Sequence, residues 1–428
     1  MWLRQVYHLM KLRRNQWLKS SEIQEIQRKR LRAIIEYAYH NIEFYHEKFK
    51  AVGVKPDDIR TVDDLPKLPV TTKSEIREGF RRGSILRKGL NLSRCKLART
   101  SGSSGDPMII VYDEKAEDFQ KAVAIRSFME AGGRYRDKWV MITSPQRAAA
   151  KRRWFQRFGL FSPIYLSLFD SAGTHVSMLR KIKPDVIQGY SSSLELIARA
   201  IHEKGVSDIK PRVVIGTAEV LSDEVRSFIN AAFNLKMFDQ FGGVEIGRSA
   251  WECEEHSGYH MDVDALAMEF VKNNEHVVAG ERGRLLYTSL YNYAMPLIRY
   301  DVGDVCVPTD ESCPCGRGLP LMKHIEGRVD DFVITPNGRI FSPIIWTIIM
   351  RAIPGIAKYK IVQKTKRDLV VQLVKDSDFS SATIRQVNEG ITKHLGDDIS
   401  IGIELMEDIP KDNSGKLRSV ISKVKTDW

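Results

Sequence analysis

Arg99-Thr100-Ser101-Gly102-Ser103-Ser104-Gly105-Asp106-Pro107 is the most informative segment of this 428-residue chain. Positions 100–105 hold two glycines and four hydroxyl residues. Glycine tolerates positive φ, so successive backbone N–H groups can point toward one anion, and the hydroxyls add rotatable donors. The segment predicts a phosphate-binding loop that is neither a Walker loop nor G-x-G-x-x-G. A flexible Gly/Ser linker is the alternative, disfavoured because the apolar run Met108–Tyr112 follows at once.

Composition describes an ordinary globular chain. A hydrophobic content of 43% is typical of soluble proteins, and 428 residues suggest two or three domains. No apolar run reaches the roughly 18 residues of a membrane span, and the N-terminus lacks the apolar core of a signal peptide. Five cysteines in a chain of this length do not indicate a disulfide framework. We therefore expect a cytoplasmic protein without integral membrane contact.

The net charge of +12 is compatible with nucleic acid, an anionic membrane surface or a phosphorylated ligand. The densest basic cluster runs from Arg147 to Arg157. We interpret it as a solvated helix face near an active-site mouth, with docking of a phosphorylated cofactor as the alternative. Nucleic-acid binding rests on charge alone and is not expected. The basic N-terminal helices could form a homodimer or make peripheral contact with a membrane surface.

Strands and helices alternate in the middle of the chain. Residues 1–90 form a helical leader, whereas buried-strand patterns recur at 139–143, 185–188 and 212–216, the last two followed by polar loops and helices. Strands that end in loops opening helices are βα units of a largely parallel sheet, and ligands bind at the carboxyl ends of such strands. The loops after residues 188, 216 and 240 should therefore face one cleft.

The rest of the chain changes character. Residues 262–309 are richer in strands, and residues 332–428 predict a small α+β lobe with strands near 357–363, 368–374 and 399–406 and a helix near 382–395. The expected fold class is α/β. It comprises a large N-terminal domain of several subdomains with mixed and parallel sheets, followed by the small C-terminal lobe.

Several residues further along the chain are suited to a nucleotide. Phe241 can stack on a purine, and Glu245 can hold Mg²⁺ beside phosphates. Asp304 can accept hydrogen bonds from the two hydroxyls of a ribose, and Arg328 presents a fixed fork of donors. Lys416 lies in a Gly-containing loop near the C-terminus. Each residue alone is weak evidence, but their order along the chain is specific.

That order resembles the adenylate-forming superfamily of acyl-CoA synthetases, peptide-synthetase adenylation domains and luciferases. The matching segments are Thr100–Pro107, Gly216–Glu219, Phe241–Glu245, Tyr300–Asp304, Gly327–Asp331 and Pro410–Lys416. Two N-terminal segments, Ala38–His46 and Leu65–Lys73, look like the phenylacetate–CoA ligase branch, which includes proteins found with capsular polysaccharide genes.

The resemblance implies a reaction in two steps. A carboxylate attacks the α-phosphorus of ATP and releases pyrophosphate, and a thiol, usually that of coenzyme A, then displaces AMP from the acyl-adenylate. The resemblance also implies an adenylation domain at 1–326, with its nucleotide and acyl site within 91–326. A hinge at 327–331 that contains Asp330 then leads into a mobile lobe at 332–428.

A role follows from the resemblance for each matched residue. Glu245 would ligate Mg²⁺, Asp304 and Arg328 would fix the ribose, and Lys416 would neutralise charge between the carboxylate and the α-phosphate. The β- and γ-phosphates would be held by Thr100, Ser101, Gly102, Ser103, Ser104 and Gly105. Adenine would be flanked by Phe241, Gly242, Gly216, Thr217, Ala218 and Glu219.

Two positions depart from the superfamily pattern. Met108 stands where many members have a lysine, although the phenylacetate–CoA ligase branch tends to lack that lysine as well. Val244 stands where the family usually has a hydroxyl residue that would contact the adenylate phosphate. The second departure bears on catalytic rate rather than on nucleotide binding.

The cysteines predict a further site. Cys253 and His256 with Cys313 and Cys315 form a C-x₂-H plus C-x-C set, and four N/S ligands suit a structural Zn²⁺. His260 is an alternative fourth ligand. Ordinary reduced thiols, with His256 on a surface loop, are the competing interpretation.

The leading hypothesis is an ATP-dependent carboxylate–CoA ligase that uses ATP, Mg²⁺ and coenzyme A and acts on a small-molecule carboxylate. Surface polysaccharide biosynthesis is one process that such an enzyme could serve. One alternative sends the acyl group to a carrier protein, sugar or amine. Another is a catalytically weak nucleotide-binding homologue, motivated by Val244. The acyl pocket should lie near residues 139–145, 188–193 and 242–247. These side chains do not identify the substrate acid.

Overall fold

The computed structural model describes residues 2–100, 108–144, 154–341, 343–396, 398–411 and 417–424. Helices lead the chain and then alternate with strands. The α-helices are α1 (Trp2–Asn15), α2 (Ser20–Asn41), α3 (Glu43–Ala51), α4 (Lys73–Arg82), α5 (Glu114–Glu130), α6 (Ala172–Ile182), α7 (Ser191–Glu203), α8 (Asp223–Phe233), α9 (Pro343–Arg351) and α10 (Ser381–Leu395). Short 3₁₀ helices occupy Pro56–Asp58, Val62–Lys67, Leu92–Arg94, Trp154–Phe158 and Val329–Asp331.

One long mixed sheet dominates the large domain, and a small hairpin precedes it. The hairpin strands are β1 (Lys96–Arg99) and β2 (Ile109–Tyr112). The sheet strands are β3 (Trp139–Thr143), β4 (Ile164–Ser167), β5 (Val186–Tyr190), β6 (Val213–Thr217), β7 (Phe238–Gly243), β8 (Gly247–Trp251), β9 (Tyr259–Met261), β10 (Leu266–Lys272), β11 (Glu275–His276), β12 (Gly283–Ser289), β13 (Tyr300–Pro308) and β14 (Leu321–Arg328).

The sheet has two halves of different pairing. Its strand order is β11-β10-β12-β13-β14-β9-β8-β7-β6-β5-β3-β4. The strands β3 to β7 run parallel, whereas β8 to β14 pair antiparallel. Helices α6, α7 and α8 bury the apolar face of the parallel half, with Val214, Leu194 and Ile229 fully buried. The predicted α/β class with mixed and parallel sheets is confirmed.

A buried cluster of charged and polar side chains joins α1 of the helical leader, α5 and the antiparallel half of the sheet. Arg126 of α5 is fully buried and pairs with Asp262 and, at 2.8 Å, with Asp264. Asn15, at the end of α1, donates to the same Asp264 at 3.1 Å. Because a buried charge without its partner costs several kcal/mol, these contacts make the leader part of the large domain's core.

The C-terminal part forms its own small α+β unit. Its strands are β15 (Val333–Ile334), β16 (Ile340–Phe341), β17 (Ile356–Gln363), β18 (Asp368–Lys375), β19 (Ser400–Met406) and β20 (Val420–Ser422). Trp346, Val371 and Val387 centre a separate hydrophobic core between the four-stranded sheet and helices α9 and α10. The proposed domain boundaries at 326 and 332 remain a prediction. Among the described residues, no helix is long and apolar enough to cross a membrane.

Candidate functional site

The carboxyl ends of β5, β6 and β7 lie side by side, as the sequence predicts. Tyr190 pairs in register with Thr217, and Thr217 with Gln240. Gly216 allows this close approach, since a Cβ there would lie 2.8 Å from Met237 Cε and 3.2 Å from Asp239 Oδ1. The loops after residues 190, 217 and 243 therefore open on the same edge of the sheet.

The segment predicted to flank adenine leaves β6 in an unusual conformation. Ala218 has φ of +72°, a left-handed value that costs a non-glycine residue about 1–3 kcal/mol. The Thr217 hydroxyl accepts a hydrogen bond from Arg248 at 2.8 Å. The Glu219 carboxylate accepts from the Ser192 N–H at 2.8 Å, at the N-terminus of α7. A carboxylate at a helix N-terminus is favoured by the helix dipole, so the strained turn has a fixed anchor.

The hairpin between β7 and β8 carries Glu245. Gly242 permits its tight turn, because a Cβ at this position would lie 2.2 Å from the Gly247 carbonyl oxygen. Tyr112 donates to the Glu245 carbonyl at 2.7 Å, and Tyr300 lies 3.5 Å from the Glu245 carboxylate. Burial, and then the nearby Glu245 carboxylate, raises the pKa of Tyr300, so Tyr300 remains a proton donor at neutral pH. Glu245 is thus held by buried tyrosines.

The hairpin also carries Phe241 and Val244. Phe241 is half-buried and packs against the core of the large domain. Val244 is 45% exposed at the tip of the hairpin. Because the Val244 side chain is exposed, core packing does not explain why an aliphatic residue stands here.

Asp304 and Arg328 face each other on neighbouring strands, as their predicted common role requires. They pair in register across β13 and β14, with Arg328 Nε 3.8 Å from Asp304 Oδ1. Arg328 also donates to the Val302 carbonyl at 2.7 Å. Gly303 has φ of +83°, and a Cβ there would lie 3.2 Å from the Arg328 guanidinium. Glycine therefore leaves room for the arginine beside the carboxylate.

The predicted phosphate loop is closed at its base. The Thr100 N–H donates to the Met108 carbonyl, and the Met108 N–H donates to the Thr100 hydroxyl, both at 2.9 Å. Met108 is fully buried, so this position is occupied by core packing where other superfamily members carry a lysine. The loop residues Ser101, Gly102, Ser103, Ser104 and Gly105 lie outside the described residues, as does the part of the basic cluster at 147–153.

The C-terminal lobe contacts the loops at the carboxyl ends of the parallel strands through residues that flank Lys416. Lys411 donates to the Leu168 carbonyl, and the Leu417 N–H donates to the Glu219 carboxylate at 3.3 Å. Lys416 itself lies outside the described residues. Its flanking residues thus touch the loops after β4 and β6, at the edge of the sheet where the other site residues meet.

Asp330, the predicted hinge residue, lies in the 3₁₀ turn at Val329–Asp331, between β14 and the lobe. Its neighbour Asp331 forms an ion pair with Arg418, whose Nε lies 3.2 Å from the Asp331 carboxylate. The chain segment that begins at Leu417 is therefore attached to the predicted hinge.

One residue of the site has no counterpart in the sequence predictions. Arg248 donates to the Thr217 hydroxyl and, at 3.1 Å, to the Gln240 carbonyl, and so joins the ends of β6 and β7. It lies three residues after Glu245, on the return strand of the hairpin. A basic residue so close in sequence to the predicted Mg²⁺ ligand could have been chosen as a candidate site residue.

The cysteine set assembles, but with a different histidine. The donor atoms of Cys253, His260, Cys313 and Cys315 all lie within 4.8 Å of one another. His256, the first choice as fourth ligand, is not in this group. It has φ of +49° at the tip of the β8–β9 connection, and its Nδ1 lies 3.6 Å from the Glu252 carboxylate. Antiparallel pairing places Trp251 opposite His260, which returns the second histidine to Cys253.

Comparison with known proteins agrees with this architecture. The model of the CapK C-terminal domain family matches residues 333–423. A phenylacetate–coenzyme A ligase of Thermus thermophilus is 23% identical over 94% of this chain and 97% of its own. Protein CapK of Staphylococcus aureus is 24% identical over 95% of this chain and 90% of its own.

Solved structures of 2-hydroxyisobutyryl-CoA ligase share the fold at 19% identity. In the postadenylation state with an acyl-AMP, that structure superposes with a TM-score of 0.78, covering 96% of this chain and 91% of its own. In its thioesterification state with CoA, the same coverage gives a TM-score of 0.64.

The fold is the one seen in solved AMP-forming CoA ligases, and the sequence is similar to a ligase of this class over most of its length. Within that class the chain is a relative of the phenylacetate–CoA ligases and of CapK. The resemblance stated from the sequence is confirmed.

Proposed function

We propose that this chain activates a small carboxylic acid with ATP and transfers the acyl group to coenzyme A. One carboxylate oxygen attacks the α-phosphorus and expels pyrophosphate. The thiol sulfur of coenzyme A then attacks the acyl carbon, loses its proton, and AMP leaves. The observation that carries the proposal is the contact of Leu417, the residue after Lys416, with Glu219 beside the strand ends.

Nucleotide binding uses the matched residues in this proposal. The loop closed by Thr100 and Met108 holds the β- and γ-phosphates, and Asp304 with Arg328 holds the ribose. The segment Gly216–Glu219 and Phe241 flank adenine. Such a reaction needs positioning and charge stabilisation rather than a protein nucleophile, and these residues supply hydrogen-bond donors and charges.

The carboxylate of Glu245 suits Mg²⁺. Its oxygens are hard ligands, and Mg²⁺ is commonly bound by one or two carboxylates together with substrate phosphates. Tyr300 supplies a hydroxyl at 3.5 Å that orients the carboxylate. Bound Mg²⁺ would offset the phosphate charge, and Lys416, from the other lobe, would bring the second cation.

Two half-reactions require two positions of the small lobe. The contacts of Lys411 and Leu417 with the large domain support adenylation as the step that the described arrangement serves. The higher TM-score to the postadenylation state than to the thioesterification state agrees with this interpretation. Rotation about Asp330 would withdraw Lys416 and admit the thiol, a step that can limit turnover.

A second class of acyl acceptor is favoured by one relative. The similarity to Protein CapK supports a role in surface polysaccharide biosynthesis, in which the activated acyl group passes to a carrier protein, sugar or amine. This alternative shares the first half-reaction and differs in the second.

Pyrophosphate exchange with a panel of carboxylates tests the proposed function. We expect at least one acid to elicit exchange that requires Mg²⁺, and AMP release to accelerate when coenzyme A is added. Exchange without coenzyme A dependence would support the other acceptors. ATP binding without exchange for any acid would support the catalytically weak homologue.

A further inference from the structure

The cluster of Cys253, His260, Cys313 and Cys315 has the dimensions of a metal site. Cys253 Sγ lies 3.5 Å from Cys313 Sγ and 3.4 Å from His260 Nε2, which lies 3.4 Å from Cys315 Sγ. Tetrahedral zinc with Zn–S bonds of about 2.3 Å requires edges of about 3.8 Å between its ligands. The sulfur separation is far above the roughly 2.05 Å of a disulfide.

We propose that these four residues bind a structural Zn²⁺. Three sulfurs and one imidazole nitrogen form a Cys₃His set. Thiolates are soft ligands, so this set favours Zn²⁺ over hard divalent cations. Binding converts the cysteines to thiolates and releases their protons to solvent. Four protein ligands leave no position for substrate, so the ion stabilises the fold and takes no part in the reaction.

The bound zinc would join two segments of the large domain. Cys253 and His260 lie on the β8–β9 hairpin, with Cys253 eight residues after Glu245, whereas Cys313 and Cys315 lie in the loop before β14. The same loop reaches the leader, because the Gly318 N–H donates to the Gln16 carbonyl at 2.9 Å.

Arg317 strengthens this last connection. Its guanidinium pairs with Glu130 of α5 at 2.7 Å and lies 4.5 Å from the centre of the Trp17 ring. Since Arg317 is only two residues from Cys315, a fixed loop also fixes the packing of the leader on the sheet. We therefore expect zinc to affect stability more than nucleotide affinity.

Metal analysis of purified protein tests the site. We expect about one equivalent of zinc in the wild type, less than about a fifth in Cys315→Ala and His260→Ala, and unchanged zinc in the matched controls Cys95→Ala and His256→Ala. Protein refolded with Co²⁺ should show the visible absorption bands of tetrahedral cobalt–thiolate coordination.

Two outcomes would overturn the proposal. One is folded wild-type protein that holds no zinc after incubation with the metal and gives no cobalt spectrum. The other is loss of zinc in His256→Ala with retention in His260→Ala. Because the cobalt spectrum is read without substrate, failure of the zinc site leaves the proposed activity untouched.

The outer face of α1 carries a second, independent inference. Leu3, Tyr7 and Met10 recur at helical spacing and are 82%, 60% and 68% exposed. The opposite face is fixed, because Arg4 and Gln5 both donate to the buried Asp118 of α5, at 2.7 and 2.6 Å. Helix α1 is thus held against α5 on one side and exposes large apolar side chains to solvent on the other.

Charge distinguishes the partner of this face. The helix contains Arg4, Lys11, Arg13 and Arg14 and no acidic residue, and Lys11 and Arg14 are exposed beside the apolar stripe. Trp2, at its start, packs on Phe155 with ring centres 4.3 Å apart, and exposed Arg157 follows in the same 3₁₀ helix. Apolar side chains bordered by cations are typical of helices that lie in the headgroup region of anionic membranes.

We infer that this face, defined by Leu3, Tyr7, Met10, Lys11 and Arg14, docks on an anionic lipid surface. A second copy of the chain fits less well, because two such faces would bring like charges together.

Sedimentation with vesicles tests the inference. We expect binding to vesicles rich in phosphatidylglycerol, little binding to phosphatidylcholine alone, and weakening with salt. The triple variant Leu3→Ser/Tyr7→Ser/Met10→Ser should bind at least about tenfold more weakly. The matched control Val278→Ser/Phe169→Ser, also at exposed positions, should bind like the wild type.

No binding to anionic vesicles at low salt would overturn the lipid proposal. So would a concentration-dependent dimer, measured by light scattering, that the triple variant abolishes.

Discussion

At the scale of single residues, Val244 is where this site departs most from the pattern it otherwise follows. Its neighbours are well fixed, since Tyr112 donates to the carbonyl oxygens of both Val244 and Glu245 at 3.2 and 2.7 Å. The side chain is exposed, so a hydroxyl could replace a methyl group here without disturbing the core. The absence of a hydroxyl donor at this position therefore results from the Val244 side chain alone and not from the surrounding packing.

Replacing Val244→Thr should accelerate pyrophosphate exchange about tenfold, since a hydrogen bond to a charged phosphate contributes about 1.5–3 kcal/mol. Val244→Ala removes bulk without adding a donor and serves as the control. Equal rates for the Thr and Ala variants would show that the hydroxyl has no role in this protein.

At the scale of elements, the β7–β8 hairpin depends on the absence of a side chain at Gly242. A Cβ there would meet the Gly247 carbonyl at 2.2 Å, within the same hairpin that carries Glu245. Such a clash is relieved only by opening the turn. The position of the carboxylate is thus coupled to the tightness of the hairpin.

We expect Gly242→Ala to lower the free energy of unfolding by about 2–4 kcal/mol and to weaken ATP binding. Gly280→Ala is the matched control, because Gly280 also has positive φ, +87°, but a Cβ added there would meet no atom within 4 Å. That control should cost about 1 kcal/mol and leave ATP affinity unchanged. Denaturant unfolding measures the stability of both variants, and nucleotide titration measures their ATP affinity. Equal effects of the two substitutions would contradict the role of Gly242 in the hairpin.

Elements were more predictable from the sequence than contacts between them. The predicted strand at 139–143 is β3, and those at 368–374 and 399–406 differ from β18 and β19 by one residue at an end. Hydrophobic periodicity determines such elements locally. The sequence offered both His256 and His260 as the fourth ligand, and it could not decide between them, because the choice depends on the register of the β8–β9 hairpin, which pairs Trp251 with His260. Arg248 was missed for a similar reason, since its partners lie on two other strands.

At the scale of the whole molecule, two lobes contribute to one proposed site. The large domain supplies the loop closed by Thr100 and Met108, the Asp304–Arg328 pair and Glu245. The small lobe supplies Lys416, whose neighbours Lys411 and Leu417 reach Leu168 and Glu219. The motif order predicted these parts from sequence, but not their docking contacts, because Glu219 and Leu417 are 198 residues apart.

The contribution of the small lobe is measured by Lys416→Ala, assayed separately in the two half-reactions. We predict that pyrophosphate exchange falls at least about a hundredfold, because a cation at the developing charge is lost, while ATP affinity stays within about twofold. Thioester formation from preformed acyl-adenylate and coenzyme A should persist near the wild-type rate, since in the proposed mechanism Lys416 leaves the site before that step. Undiminished pyrophosphate exchange in Lys416→Ala would contradict a site shared between the two lobes.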